Sequence, residues 1–299
     1  MFSRLIYAAL SVTGITTLAR RLRGGGVILC YHNTVAPGES AGDPGVHMAV
    51  ADFARQVSWV AAHYDVVPLV DVARRLREGR SLRGLAALTL DDGYEGVFTH
   101  AWPILRNANL PATVFIPTNF MQERTPFWWD HPAIAAHATD ERRTTWLEQL
   151  KGDGDAIARA EGATEPPVLP SSCRPASWET IRRAAAEGFD IGLHSASHRT
   201  MPRLSDDELH REVVVSRAVL AERTGVEAAA FAYPYGRWDA RVRDVVKQSG
   251  FDVAVTLDAG LNDEASDPWA LRRVNVPASI SAPAFAAWTA GISPALWAA

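Results

Sequence analysis

Residues 85–93 read Leu85-Ala86-Ala87-Leu88-Thr89-Leu90-Asp91-Asp92-Gly93. The first six form an almost continuous apolar run, not an alternating one. A strand buried on both faces has that pattern, and such strands belong to parallel sheets covered by helices. Two carboxylates and a glycine at the end of the run mark a sharp turn that leaves polar groups at the strand's carboxyl end.

The same pattern of strand followed by helix extends in both directions. Toward the amino terminus, residues 27–31 are a short apolar strand ending in Tyr31-His32-Asn33, and residues 38–45 are a Gly-, Pro- and Ser-rich loop. Phe53, Val57 and Val60 recur at helical spacing, 65–68 reads as a strand and 70–78 as a helix closed by Gly79. Toward the carboxyl terminus, the spacing predicts a helix over 97–108 and a strand over 112–116. Further helices are expected over 178–187, with Ser177 as N-cap, over 205–223, opened by a Ser205-to-Glu208 capping box, and over 239–249. Strands are expected at 190–193, 229–232, 253–256 and 271–276. Repeated alternation of this kind implies an α/β protein with a parallel sheet, open or closed into a barrel. Residues from about 120 to 175 break the rhythm and read as an insertion of loops and short helices, including Trp128-Trp129-Asp130.

The chain has 299 residues, is 47% hydrophobic and 21% charged, and carries a net charge of −4. It has no long basic tract, so no nucleic-acid partner is indicated. Cys30 and Cys173 make no disulfide framework and no metal-binding pair, and read as packing residues. Residues 5–19 are uncharged, and Arg20, Arg21 and Arg23 follow. The apolar run falls short of the roughly 20 residues that a spanning helix needs. Residues 1–24 are therefore read as a helix that packs on the domain or touches a membrane surface, with residues 25–299 as the catalytic domain. Arginines on the carboxyl flank favour a cytoplasmic, membrane-associated protein. A signal or anchor, with a periplasmic or exported protein, is the alternative.

Three polar segments follow strands: Asp91-Asp92, His194-Ser195-Ala196-Ser197-His198, and Tyr233-Pro234-Tyr235-Gly236. In a parallel α/β protein the carboxyl ends of strands share one cleft. One carboxylate and two imidazoles make a three-ligand site for zinc or a similar ion. Where the strand bends, one of two adjacent acids can bind the ion while the other reaches the attacking water. Each piece alone has an ordinary explanation: a turn, an incidental histidine pair, another turn. Their order after successive strands sets them apart.

These segments resemble the polysaccharide deacetylase family (carbohydrate esterase family 4). Thr89-Leu90-Asp91-Asp92-Gly93-Tyr94 is similar to that family's first motif, the His194/His198 segment to its metal motif, and residues 231–236 to its third. The likeness runs from about residue 27 to residue 276. Tyr31-His32, Ser177-Trp178 and residues 271–276 resemble a bacterial exopolysaccharide-type branch. The resemblance implies a distorted, incomplete (β/α) barrel that removes N-acetyl groups from an amino-sugar glycan. Asp92, His194 and His198 would hold a divalent metal, zinc first, with cobalt, nickel or manganese accepted. Asp91 would be the base, and the backbone N–H of Tyr235 an oxyanion donor. Two family residues are missing. Ala232 stands where an arginine orients the base, and Arg273 is the candidate substitute or else an ordinary strand-end ion pair. No histidine follows His210, so His32 is the candidate general acid or else a structural histidine. Trp128, Trp129 and Tyr235 would stack on sugar rings, or the tryptophans would anchor the insertion. Asp130 beside them reads as exposed or capping, with support of the metal site as the other role. A metal-dependent amidase on a non-sugar amide, and a non-catalytic glycan-binding barrel, are the competing functions. Acetate release assays against a panel of amides separate them.

Overall fold

The computed structural model describes residues 2–22, 24–163 and 165–292. Met1, Arg23 and residues 293–299, which belong to the two segments assigned from sequence, lie outside the described residues. Ten strands occur among those described: β1 (Val27–Tyr31), β2 (Asn33–Val35), β3 (His47–Ala49), β4 (Asp65–Val66), β5 (Leu85–Leu90), β6 (Thr113–Ile116), β7 (Asp190–Leu193), β8 (Ala230–Ala232), β9 (Val253–Val255) and β10 (Val274–Asn275). The main sheet has the order β10-β1-β5-β6-β7-β8-β9, and its neighbours run parallel. β4 pairs with the amino half of β5, and β6 pairs with its carboxyl half. With three neighbours on one strand the sheet curls. Among the described residues the ring closes through a single bridge, Val255 to Leu271, just before β10. A ladder is missing there, and the result is an incomplete (β/α) barrel.

Every residue of β1 and β5 is buried, as their continuous apolar runs require. Helices cover the outer face with amphipathic stripes: Phe53, Val57 and Val60 from Val50–His63, and Leu69, Val72, Ala73 and Leu76 from Leu69–Arg77. Ser177 caps Trp178–Ala186, and the Ser205–Glu208 capping box is complete.

Three elements differ from expectation. The helix expected over 97–108 is a π turn, Val97–Ala101, followed by an α-helix, Trp102–Asn107. Pro103 has no N–H to donate, so the hydrogen-bond ladder shifts by one residue. The helix over 205–223 also contains a π turn, Arg211–Val215, whose Glu212 is buried. The strand expected over 271–276 shrinks to two residues. The Arg272 amide bonds Asn262 Oδ1 and the Arg273 amide bonds the Asp258 carbonyl, which draws both out of the ladder.

The amino terminus forms two helices, Phe2–Val12 and Ile15–Leu22, separated at Gly14, where φ is 76°. They pack on the helix Ala282–Thr289, which the sequence pattern does not announce, and Trp288 Nε1 donates to Tyr7 Oη at 3.0 Å. The insertion folds as short helices that bring Trp128 and Trp129 to the barrel's open end.

Candidate active site

The parallel sheet delivers its polar residues to one end. His32 leaves β1, Asp91 and Asp92 leave β5, His194 leaves β7, and Tyr233 to Gly236 leave β8. Of these, His32, Asp91, Asp92, His194 and Tyr235 line with His198 one cavity of about 140 Å³, shared with Trp128 and Trp129. Four residues here have left-handed backbones without being glycine: Asp92 (φ 71°), Ser195 (62°), His198 (53°) and Tyr235 (56°). That conformation is sterically costly for side chains with a Cβ and persists where surrounding contacts enforce it.

Asp92 Oδ1 lies 3.3 Å from His198 Nε2 and 3.6 Å from His194 Nε2, and the two nitrogens are 3.1 Å apart. Three donors held about 2.0–2.2 Å from one tetrahedral ion would be spaced about 3.3 Å. Asp92 Oδ1 and His198 Nδ1 are buried with no hydrogen-bond partner. His194 Nδ1 sits 2.8 Å from the Ala232 carbonyl. A carbonyl only accepts, so Nδ1 carries the proton and the Nε2 lone pair faces Asp92. Burial pushes the Asp92 carboxyl up to about 6 and both histidines down to about 4. An uncompensated buried carboxylate beside two neutral imidazoles fits a divalent cation. Behind the loop, the buried Glu212 accepts the amides of Ala196 and Ser197, each at 2.9 Å, and the Ser197 hydroxyl.

Asp91 is held differently. Arg273 Nη1 and Nη2 each donate to it at 2.7 Å, a bidentate pair that is fully buried. Nε of the same arginine donates to the Thr256 carbonyl at 2.7 Å, and Nη1 also donates to Thr89 Oγ1 at 3.1 Å. Burial works to raise the Asp91 pKa, but the Arg273 charge outweighs it and holds the carboxyl well below the usual range. Asp91 Oδ2 lies 3.8 Å from His194 Nε2, beside the Asp-His-His cluster. Ala232, in the place of the family's arginine, ends β8, and Arg273 reaches Asp91 from the β10 side of the sheet.

His32 is half-buried, close to Cys30 and Asp91, and its ring makes no hydrogen bond among the described residues. Burial lowers its pKa. Tyr235 packs edge-on to His198, with ring centroids 4.5 Å apart. Trp128 Nε1 donates to Tyr235 Oη at 2.9 Å, and Trp129 Nε1 donates to Tyr94 Oη at 2.8 Å. Both indoles are only 7% exposed. They pack against each other and against Tyr235 at the cavity wall.

Asp130 is neither exposed nor capping. It is fully buried, 2.8 Å from His47 Nε2, and accepts from Tyr94 Oη at 2.7 Å. Burial opposes a charge on His47, but the Asp130 carboxylate prevails and lifts its pKa to about 9. His47, Tyr94 and Glu212 carry no spacing signal. Only Tyr94, directly after Asp-Asp-Gly, lay inside a recognised motif.

The polysaccharide deacetylase profile matches residues 79–254, more than half of the sequence. The chain belongs to the polysaccharide deacetylase family. It is 20% identical over 201 residues to a Bacillus subtilis (strain 168) protein named as a polysaccharide deacetylase, YxkH, covering 67% of this chain and 54% of that one. It is 24% identical over 268 residues to the Escherichia coli (strain K12) poly-β-1,6-N-acetyl-D-glucosamine N-deacetylase, covering 79% of this chain and 34% of that one. The chain thus spans about half and about a third of the length of these relatives. The structure of IcaB from Ammonifex degensii shares the fold, with a TM-score of 0.62 at 20% identity, covering 90% of this chain and 98% of that one.

Proposed function

We propose that this protein hydrolyses the N-acetyl groups of amino sugars in a polysaccharide or glycan intermediate, with the help of a divalent metal. One observation carries the reading: a carboxylate kept ionised by Arg273 stands 3.8 Å from a cluster of one carboxylate and two imidazoles. Asp92, His194 and His198 would hold the ion, and zinc is the first candidate, with cobalt, nickel and manganese compatible with the same donors. Bound there, such an ion makes water more acidic and polarises an amide carbonyl.

The chain's own groups do the rest. Asp91 takes the proton of the attacking water, and Arg273 fixes the direction of the carboxylate that receives it. The backbone N–H of Tyr235 donates to the oxygen that gains charge. His32 protonates the leaving nitrogen, so that the C–N bond breaks to acetate and a free amine. The proton that Asp91 takes from the water is the one passed on through His32, so the bases return to their starting protonation state after each turnover. Trp128 and Trp129 in the cavity wall supply apolar surface for a sugar ring. The arginines that follow the uncharged run of residues 5–19 support a cytoplasmic, membrane-associated location over an exported one.

The name of the Escherichia coli relative makes a β-1,6-linked N-acetylglucosamine polymer the first substrate to test. Acetate release is measured from that polymer, from chitooligosaccharides and from non-sugar amides. A chelator should abolish release and added zinc should restore it. Turnover of the non-sugar amides alone would replace this reading with an amidase, and turnover that survives full metal removal would end it.

A further inference from the structure

Seven large hydrophobic side chains are exposed among the described residues, and four of them fall within residues 12–22: Val12 (88%), Ile15 (47%), Leu18 (55%) and Leu22 (67%). Isolated exposed hydrophobics are ordinary, but a clustered set is not. Ile15, Leu18 and Leu22 are spaced three and four apart in one helix, so they share a face. The opposite face is occupied. Thr16 is buried, Ala19 packs with Tyr7, Ala284 and Ala287, and the Arg20 guanidinium lies over Trp59.

Charge selects the occupant of the free face. The first 38 residues contain no acid and four arginines, in a chain of net charge −4. Arg21 is exposed, and exposed Arg83 donates to its carbonyl, which places a second cation beside the helix. A second copy of this chain docked on the same face would set the same arginines against each other across the rim. An anionic lipid surface offers both the apolar layer and the counter-charge. No described helix is long and apolar enough to cross a membrane, and the break at Gly14 lets two short helices lie side by side.

The same contact sets an orientation. Arg83 lies two residues before β5, so the carboxyl end of Ile15–Leu22 sits at the amino end of that strand. Asp91 and Asp92 leave the other end, about 20 Å away at 3.3 Å per residue. We propose that the Ile15–Leu22 helix docks the protein on an anionic lipid surface, with the cavity of Asp91, Asp92, His194 and His198 turned away from the lipid. A glycan strand in water, not a lipid headgroup, then reaches the cavity; that last clause rests on the deacetylase reading.

The test uses the full chain and vesicles of phosphatidylcholine, alone or mixed with phosphatidylglycerol. The protein should sediment with the mixed vesicles, and Leu18→Glu/Leu22→Glu should lower that binding at least about tenfold with an unchanged melting temperature. Arg21→Glu/Arg83→Glu should remove the preference for anionic lipid. A solvent-sensitive dye on Leu18→Cys should shift to the blue on vesicles, and the same dye on Arg143→Cys, at the cavity wall, should not. Equal sedimentation of the protein and Leu18→Glu/Leu22→Glu overturns the docking face. Self-association abolished by that variant, without vesicle binding, assigns the face to a second copy instead. A blue shift at position 143 overturns the orientation. Neither readout uses turnover, so inactivity on every glycan would defeat the deacetylase reading and leave this result standing.

Discussion

Asp91 and Asp92 are chain neighbours, buried to the same extent at 2% exposure, yet the protein treats them in opposite ways. Asp91 has its counter-charge built in, two parallel 2.7 Å bonds from Arg273. Asp92 has none, and its Oδ1 meets only imidazole nitrogens. Arg273 drives the first carboxyl's pKa down, and burial raises the second to about 6. The contrast shows how one dipeptide supplies two chemistries. In the proposed reaction, the carboxylate already neutralised from within takes a proton from water, and the one left without a partner receives an external cation.

Asp91→Asn and Asp92→Asn break the comparison most sharply. Both should remove turnover, the former by about 10⁴-fold, the upper end of what a positioned base supplies. Only Asp92→Asn should lose bound metal, measured by elemental analysis after dialysis, and metal loss from both would erase the distinction. Next in size is Arg273→Met, which strands a buried charge and should cost about 3–5 kcal/mol of stability in urea titrations. Combined with Asp91→Asn it should cost clearly less than the two single changes added together, because no unpaired charge remains. Strict additivity would mean that Arg273 acts through packing alone.

A smaller effect is expected at His32. His32→Gln should lower kcat about 10²-fold with metal content unchanged, and should flatten the alkaline limb of the rate profile. An unaltered pH profile would make His32 structural. The smallest effect is pH-dependent. Asp92 is a carboxyl of raised pKa, protonated below about 6, and the histidines stay neutral down to about 4. Metal must therefore displace one proton below pH 6. Affinity should fall by up to about tenfold per pH unit there and level off above it. Calorimetric titration from pH 5 to 7 checks this, and a flat curve would remove Asp92 from the ligand set.

The sheet and the Asp-His-His cluster were legible in the sequence because periodicity places strands, and parallel strands gather their carboxyl ends. Residues 85–93 and 190–198 carry both facts locally. Arg273 was reachable only by noticing that Ala232 cannot fill an arginine's place. Burial of Asp130 was not legible. Its partners, His47 at the start of β3 and Tyr94 after β5, lie 83 and 36 residues away, and no local pattern encodes which segment covers another. Glu212 was hidden for the same reason. A π turn aims it at the Ala196 and Ser197 amides, and helical spacing alone would have left it as one more surface acid.

The distance along the chain between Asp91 and Arg273, 182 residues, has a consequence for the order of events at the ribosome. The two histidines are made about 75 residues ahead of the arginine, which at roughly 5–20 residues per second is a lead of about 4–15 s. Throughout that interval the emerging chain owns its three candidate metal ligands and lacks the cation that aims Asp91. The segment that bridges the ring at Leu271 also brings the arginine. Asp91 therefore acquires its bidentate partner only when the barrel is nearly whole.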